Sequence, residues 1–363
     1  MNVFGNSVFD DEAVIQISGI RLNPELTPAQ IKAHLQSTGY FEDVRVTQNA
    51  NNLNVYVKEK ITWFVIPYYS SDSASKVFGV GAGKVGLWGH NGFTAARFQL
   101  GQNDHEATLI INDDSFLNSP WGIGVSLDFE NSNHLIFAQR EVVDRFSNYF
   151  YGTSLNLTYH LAPDLILGVH SYLEQHRFQE TDGYTSSGTQ LSHRMMIDYG
   201  KVAIDEGLIH GSNSQTYFEI TNPLSDFHFF KLGVTALTDL YSSGDFNWTI
   251  KPKVEMGSNM PRYSLFEIGG VKLRGFPCQY FRDHAYASIQ NNFLFTSVNF
   301  WEFKLRPLLF ADWAFIQNGN REAFGTGFSV YFKSVAVPTL QFFAGYGLNP
   351  NGFSISATVG PQF

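Results

Sequence analysis

A transmembrane β-barrel of about 16 antiparallel strands, preceded by one small α+β unit, is the fold class this sequence predicts. Three observations carry it. Long segments alternate apolar and polar residues with a period of two. Aromatic residues make up 16% of the chain, with 34 Phe and 17 Tyr, while charged residues make up only 16%. Residues 1–60 also differ in texture from residues 61–363. A soluble α/β protein carries about a quarter charged residues. Many aromatics, 32 glycines and few charges suit a sheet with one face in lipid.

The N-terminal unit comes first. Val14–Ile20 is predicted as a strand, with Ile15 and Ile17 alternating against Gln16 and Ser18. A helix follows. Thr27 is a good N-cap, Pro28 fits the first helical position, and Gln30 completes a capping box. Ile31 and Leu35 share one helical face, and Gly39 stops the helix. Two strands, Asp43–Thr47 and Leu53–Lys58, are predicted around a turn at Asn49–Asn52. Leu53, Val55 and Val57 face one way, and Asn54, Tyr56 and Lys58 the other. Residues 1–60 thus read as a small α+β domain.

After Lys60 the helical period disappears. In Tyr151–Leu161 the odd positions form a mostly apolar face and the even positions a small, polar one. In Asn247–Met256, Trp248, Ile250, Val254 and Met256 oppose Asn247, Thr249, Lys251, Lys253 and Glu255. At the C-terminus Phe353, Ile355, Ala357, Val359 and Phe363 oppose Ser354, Ser356, Thr358 and Gln362. Further on the same logic, Glu302, Lys304, Arg306 and Asp312 fall on the face opposite Trp301, Phe303, Leu305, Trp313 and Phe315. Alternation alone leaves a soluble sandwich and a barrel both open. Strands of about ten residues or more, with charges in mid-strand, favour a barrel whose polar face is its lumen. In lipid every backbone N–H and C=O must be paired, so such a sheet must close. Residues 61–363, at roughly 19 residues per strand and turn, hold about 16 strands, an even number.

Composition excludes other classes. No stretch of about 18 uncharged apolar residues exists, and mean hydropathy is −0.13, so a helical membrane protein is excluded. The net charge is −9 with no Lys/Arg cluster, which gives nucleic-acid binding no electrostatic support. A lone cysteine, Cys278, makes neither an intrachain disulfide nor a metal site. There is no G-x-S-x-G elbow, no H-E-x-x-H and no nucleotide-binding glycine motif, so neither an enzyme nor a cofactor is expected. The start, MNVFGNSVFD, lacks a basic segment followed by an apolar one; an outer-membrane location requires that a signal peptide has been removed.

Specific motifs then stand out. Residues 271–276 read VKLRGF, preceded by FEIGG at 266–270. This resembles the sixth extracellular loop of the BamA/TamA superfamily, where a GG segment precedes V-R-G-F/Y. Phe310–Trp313, FADW, looks like the F-x-D strand motif of that family, and Asp205–Gly211, DEGLIHG, resembles the turn before its ninth strand. Five strands are predicted after the loop, as in the family: Ala285–Thr296, Trp301–Ile316, Phe324–Phe332, Thr339–Tyr346 and Phe353–Phe363. The final Phe363 resembles the C-terminal signature of outer-membrane barrels. Residues 1–60, with GYF at 39–41, resemble a single POTRA domain.

The resemblance spans essentially the whole chain and implies a bacterial outer-membrane barrel at 61–363 with a loop, 257–284, folded back into the lumen. It also implies a POTRA domain in the periplasm. Arg274, Gly275 and Phe276 would lock the loop against the wall, with Asp312 as the acidic partner. Parity had already placed Asp312 in the lumen. The family often has a glutamate on the next strand; here that position reads Gln290, also lumen-facing, and expected to hydrogen-bond Arg274. Lys272 adds a second cation, and Lys272, Glu302, Lys304 and Arg306 are candidates for a lumen charge cluster. Glycines 79, 81, 83, 86 and 89 crowd the second barrel strand, which is read either as a flexible seam or as bulges and space for the loop.

Two functions follow from the resemblance. One is assembly, insertion or translocation of protein clients, unfolded outer-membrane or secreted chains, at the outer membrane. The other is a minimal, non-transporting barrel with a structural or lipid-handling role, as a homo-oligomer. Outer-membrane lipid is the expected surrounding in both. A simple diffusion pore is disfavoured by the inserted loop.

Overall fold

The computed structural model describes the chain except residues 50–51, 72–75, 102–103, 139–140, 182, 206–207, 245, 336–339 and 360–363. Gln362 and Phe363, and the centres of the expected turns at 49–52 and 205–211, therefore lie outside the described residues.

The N-terminal unit consists of β1 (Asn2–Phe4), α1 (Asp11–Ile17), α2 (Pro28–Ser37), β2 (Phe41–Asn49) and β3 (Asn52–Glu59). Its sheet has the order β1-β3-β2, with β1 parallel and β2 antiparallel to β3. The strand expected at Val14–Ile20 is not there: residues 11–17 are helical and residues 18–20 follow them as a turn. Asp10 caps α1, its carboxylate accepting the Ala13 N–H at 2.7 Å, and Asp11 and Glu12 complement the helix dipole in the first turn. Ala13, Val14 and Ile17 then share one buried face. The second helix forms as expected, with the reciprocal Thr27–Gln30 capping box and Pro28 in its first turn. Ile31 and Leu35 bury against Val55 and Val57 in one core. Gly39 leaves the helix at φ 72°, where only glycine is unstrained.

The remaining strands are β4 (Trp63–Ser71), β5 (Lys76–Val85), β6 (Gly92–Gly101), β7 (Asp104–Asp113), β8 (Trp121–Ala138), β9 (Glu141–Ala162), β10 (Leu165–Glu180), β11 (Thr185–Asp205) and β12 (Leu208–Thr221). They continue as β13 (Phe230–Ser243), β14 (Phe246–Ser258), the short β15 (Phe266–Ile268) and β16 (Phe281–Asp283), β17 (Ala285–Leu294), β18 (Val298–Phe300), β19 (Phe303–Ile316), β20 (Gly319–Phe332), β21 (Leu340–Leu348) and β22 (Gly352–Val359). All but β15 and β16 belong to one sheet of 17 strands in sequential order, with β22 placed next to β4. β17 and β18 both pair with β19, so they are two pieces of one strand, and the 17 segments occupy 16 positions. That agrees with the expected count, and five positions follow the loop as anticipated.

The apolar face is the exposed one and the polar face the buried one. Val254 and Met256 are 49% and 47% exposed, while Asn247 and Thr249 on the opposite face of the same strand are fully buried. A soluble sandwich has the reverse pattern; this surface suits lipid.

The N-terminal unit lies across one mouth of the barrel. Asp10 N–H donates to the Gly89 carbonyl at 2.8 Å, Gln16 Nε2 to the Ser119 carbonyl at 2.6 Å, and Arg21 Nη1 to the Asn118 carbonyl at 2.9 Å. Val85 of β5 belongs to the unit's own core, so the two parts share apolar packing. The linker is held too: Lys60 Nζ donates to Tyr331 Oη at 2.8 Å, and Ile61 N–H to the Ser334 carbonyl at 2.8 Å. Burial pushes the Tyr40 hydroxyl above its ordinary range, and pushes Asp114, in the turn after β7, up to about 6.

Candidate functional site

Counted from β4, which leaves the N-terminal unit, β14 is the eleventh position and ends at the far mouth. The segment after it, 259–284, folds back inside; residues 257 and 258, expected in the loop, continue β14. Within the segment β15 and β16 form a hairpin in which Glu267 stands opposite Arg282, and the two form a close ion pair. Gly269 and Gly270 turn the chain as it leaves β15. A side chain at Gly269 would meet the Pro277 carbonyl at 2.1 Å, which accounts for the GG pair.

The tip of the segment is Arg274–Gly275–Phe276. Arg274 and Asp312 are 3% and 0% exposed in their side chains. Arg274 Nε donates to Asp312 Oδ2 at 2.8 Å and Nη2 to Oδ1 at 2.5 Å, a bidentate fork, and the Arg274 backbone N–H donates to Oδ2 at 3.1 Å. Nη1 donates to Asn292 Oδ1 at 2.5 Å and Nη2 also to the Asn291 carbonyl at 3.3 Å. The guanidinium also lies over Phe310 at 4.1 Å and Phe343 at 4.9 Å. A charge taken out of water here keeps its hydrogen bonds, which is the condition for a buried pair to persist.

The wall is cut to fit the tip. Gly275 has φ 93°, and a Cβ on it would stand 2.9 Å from the Gly347 nitrogen. A Cβ at Gly345 would meet Phe310 at 2.7 Å, and one at Gly347 would meet Phe276 at 2.6 Å. The glycines that make room for the loop are therefore on β21. On β5 a side chain at Gly83 would meet Phe64 at 2.6 Å, so that crowded strand gives space to a neighbouring ring. Phe276 itself is fully buried with Leu273, Ile268 and Tyr280.

Several expectations are corrected. Gln290 does not bond Arg274: its Nε2 donates to the Val271 carbonyl at 2.7 Å and the Lys272 carbonyl at 3.3 Å, and Asn292 takes the place beside the arginine. The charge cluster does not assemble. Glu302 is in the two-residue turn between β18 and β19, where Ser334 Oγ donates to it at 3.1 Å, because the strand begins only at Phe303. Lys272 Nζ donates to the Glu267 carbonyl at 3.1 Å within the loop. Arg306 is buried, as parity predicted, and donates to the Phe295 carbonyl at 2.9 Å; Lys304 sits on the same strand opposite Asn299 and Tyr331. Parity could have found Asn292 and Phe310, which share the lumen face with Gln290 and Asp312.

Beyond the tip the lumen is polar and holds several ion pairs. Arg194 grips Glu219 with bonds of 2.9 and 2.6 Å. Glu255 accepts Tyr217 Oη at 2.6 Å, Tyr286 Oη at 2.5 Å and Lys253 Nζ at 2.9 Å. Arg262 of the loop meets Asp144 at 3.0 Å and Glu180 at 3.1 Å near the far rim. Among the described residues no group of three or more His, Cys, Asp or Glu side chains is placed to hold a metal ion.

Comparison with known structures completes this picture. BamA from Haemophilus ducreyi lacking POTRA domains 1–3 aligns over 99% of this chain and 83% of its own, with a TM-score of 0.62. CdiB from Escherichia coli aligns over 99% and 75%, with a TM-score of 0.69. The chain has the BamA and CdiB fold. CdiB from Acinetobacter baumannii aligns over 98% and 73%, with a TM-score of 0.62. Identities of 12%, 11% and 10% make this a likeness of fold. No family model and no curated protein matches the chain by sequence. The structure joins Arg274 and Asp312, the two residues of the sequence motifs, as a buried ion pair.

Proposed function

We propose that this chain is an outer-membrane barrel, closed between β4 and β22, that assembles, inserts or translocates other proteins at that membrane. Its N-terminal unit acts as a POTRA-type domain in the periplasm. The observation that carries the reading is the Arg274–Asp312 lock inside a barrel of BamA and CdiB fold. In mechanism, β2 stands at the edge of the small sheet, and an edge strand can add an extended client segment by backbone hydrogen bonding. The barrel then offers the client strand a place beside its own first or last strand. Protein clients and outer-membrane lipid are the partners, and no reaction chemistry is involved.

One observation favours the alternative, a non-transporting structural or lipid-handling barrel that forms homo-oligomers. Both ends of the lumen are occupied, one by the N-terminal unit and the other by the loop hairpin. The test is the folding rate of an unfolded outer-membrane protein, followed by heat-modifiable gel shift, in vesicles with and without this protein. Acceleration with several clients supports the assembly role; a well-folded protein that accelerates none of them overturns it.

A further inference from the structure

The outer wall carries a charged surface that the lumen site does not use. On β9 the odd residues face outward, since Phe146 and Asn148 are buried inside at 1% and 4% exposure. Trp121 and Tyr159 pack at 4.8 Å toward the N-terminal end, and Phe129, Tyr149 and Tyr151 form a second aromatic group toward the far end. Ten residues of tilted strand, from Tyr149 to Tyr159, span about 25 Å, the height of an apolar belt between its two aromatic girdles. Leu155 and Leu157 fill the belt and are exposed.

Two arginines stand at and above the outer girdle. Arg177 on β10 is directly opposite Tyr149. Arg145 on β9 lies four residues farther toward the rim, about 13 Å along the strand. Both side chains point outward and are exposed. At the same level inside, Arg262 is met by two carboxylates, Asp144 and Glu180. Outside, neither Arg145 nor Arg177 has a carboxylate within salt-bridge distance among the described residues. A chain of net charge −9 thus leaves two guanidinium groups uncompensated at the edge of its lipid belt.

We infer that Arg145 and Arg177, with Tyr149 beside Arg177, bind the headgroup of a membrane lipid that carries two phosphate groups. Guanidinium forks match phosphate oxygens, and tyrosine seats at the headgroup level. The spacing suits a single headgroup with two phosphate groups rather than one. The proposal rests on the membrane-barrel reading above.

The test uses the full chain. It is first inserted into phosphatidylcholine vesicles, with flotation and heat-modifiable mobility as readouts. It is then taken up in detergent and titrated with bis-phosphorylated lipid A, phosphatidylcholine or inorganic phosphate, bound lipid being counted by native mass spectrometry. Arg145→Gln, Arg177→Gln and the double variant run beside the wild type; these exposed positions leave the core untouched. The expected result is wild-type retention of lipid A over phosphatidylcholine, weakened about tenfold by each substitution. Equal retention of both lipids, or no loss in the double variant, overturns the inference. Displacement by equimolar inorganic phosphate also overturns it, because the site would then be one for free phosphate. Failure of the wild type to float or to shift in gels would sink the barrel reading instead.

Discussion

Gln290 and Asp312 stand directly opposite one another on neighbouring strands, and they hold different parts of the same loop. Asp312 takes the Arg274 side chain and backbone N–H, and Gln290 takes the carbonyls of Val271 and Lys272. One cross-strand pair thus fixes both the tip and the approach to it. The two contacts differ in strength. Asp312→Ala strands a buried guanidinium and should cost about 3–5 kcal/mol. Gln290→Ala removes neutral hydrogen bonds at a partly exposed site and should cost about 1 kcal/mol. Urea midpoints in detergent micelles check the ranking; equal losses would contradict it.

The glycine seat on β21 gives a second expectation. A side chain at Gly347 has no room beside Phe276. Gly347→Val should therefore lift the tip without breaking the barrel, at about 1–3 kcal/mol. Limited proteolysis should then cut within 259–284, while the heat-modifiable gel shift persists. Gly83→Ala, whose Cβ would meet the Phe64 ring and the Thr94 carbonyl on the neighbouring strands and nothing of the loop, should leave the loop protected.

How much was legible beforehand varies with the physical signal. Alternation identified the lumen face of β19 residue by residue, so Asp312 and Arg306 were placed correctly from parity alone. Parity gives a face but no height. The depth of the loop tip depends on the fit of Gly275 against Gly347, and this sets Arg274 level with Asn292 and leaves Gln290 to the loop backbone. Strand ends were also invisible: Glu302 has the right parity but falls in a turn. The helix α1 was missed because seven residues are too short to separate a period of 3.6 from alternation. Its Asp10 cap and acidic first turn were the better signal.

That cap can be checked alone. Asp10→Ala should cost about 1 kcal/mol and loosen α1 selectively, since its carboxylate accepts the Ala13 N–H. Hydrogen exchange should quicken in residues 11–17 and remain slow in β3.

Asp114 gives the pH dependence. Burial raises its folded value from 3.8 to about 6, so its neutral form is the one the fold favours. Its stabilising contribution is complete below about pH 4 and is lost as pH rises through about 6, to a limit of roughly 3 kcal/mol. Asp114→Asn should remove this component. Urea midpoints between pH 5 and 7.5 should then fall less steeply with pH in the variant than in the wild type.

The most direct measurement is client folding in vesicles that carry either the wild type or Arg274→Ala, with both barrels first shown to be folded. The wild type should accelerate folding of an unfolded outer-membrane protein, and the variant should lose most of that acceleration. Equal acceleration by the two proteins would contradict a working role for the lock, and no acceleration by either would contradict the assembly function itself.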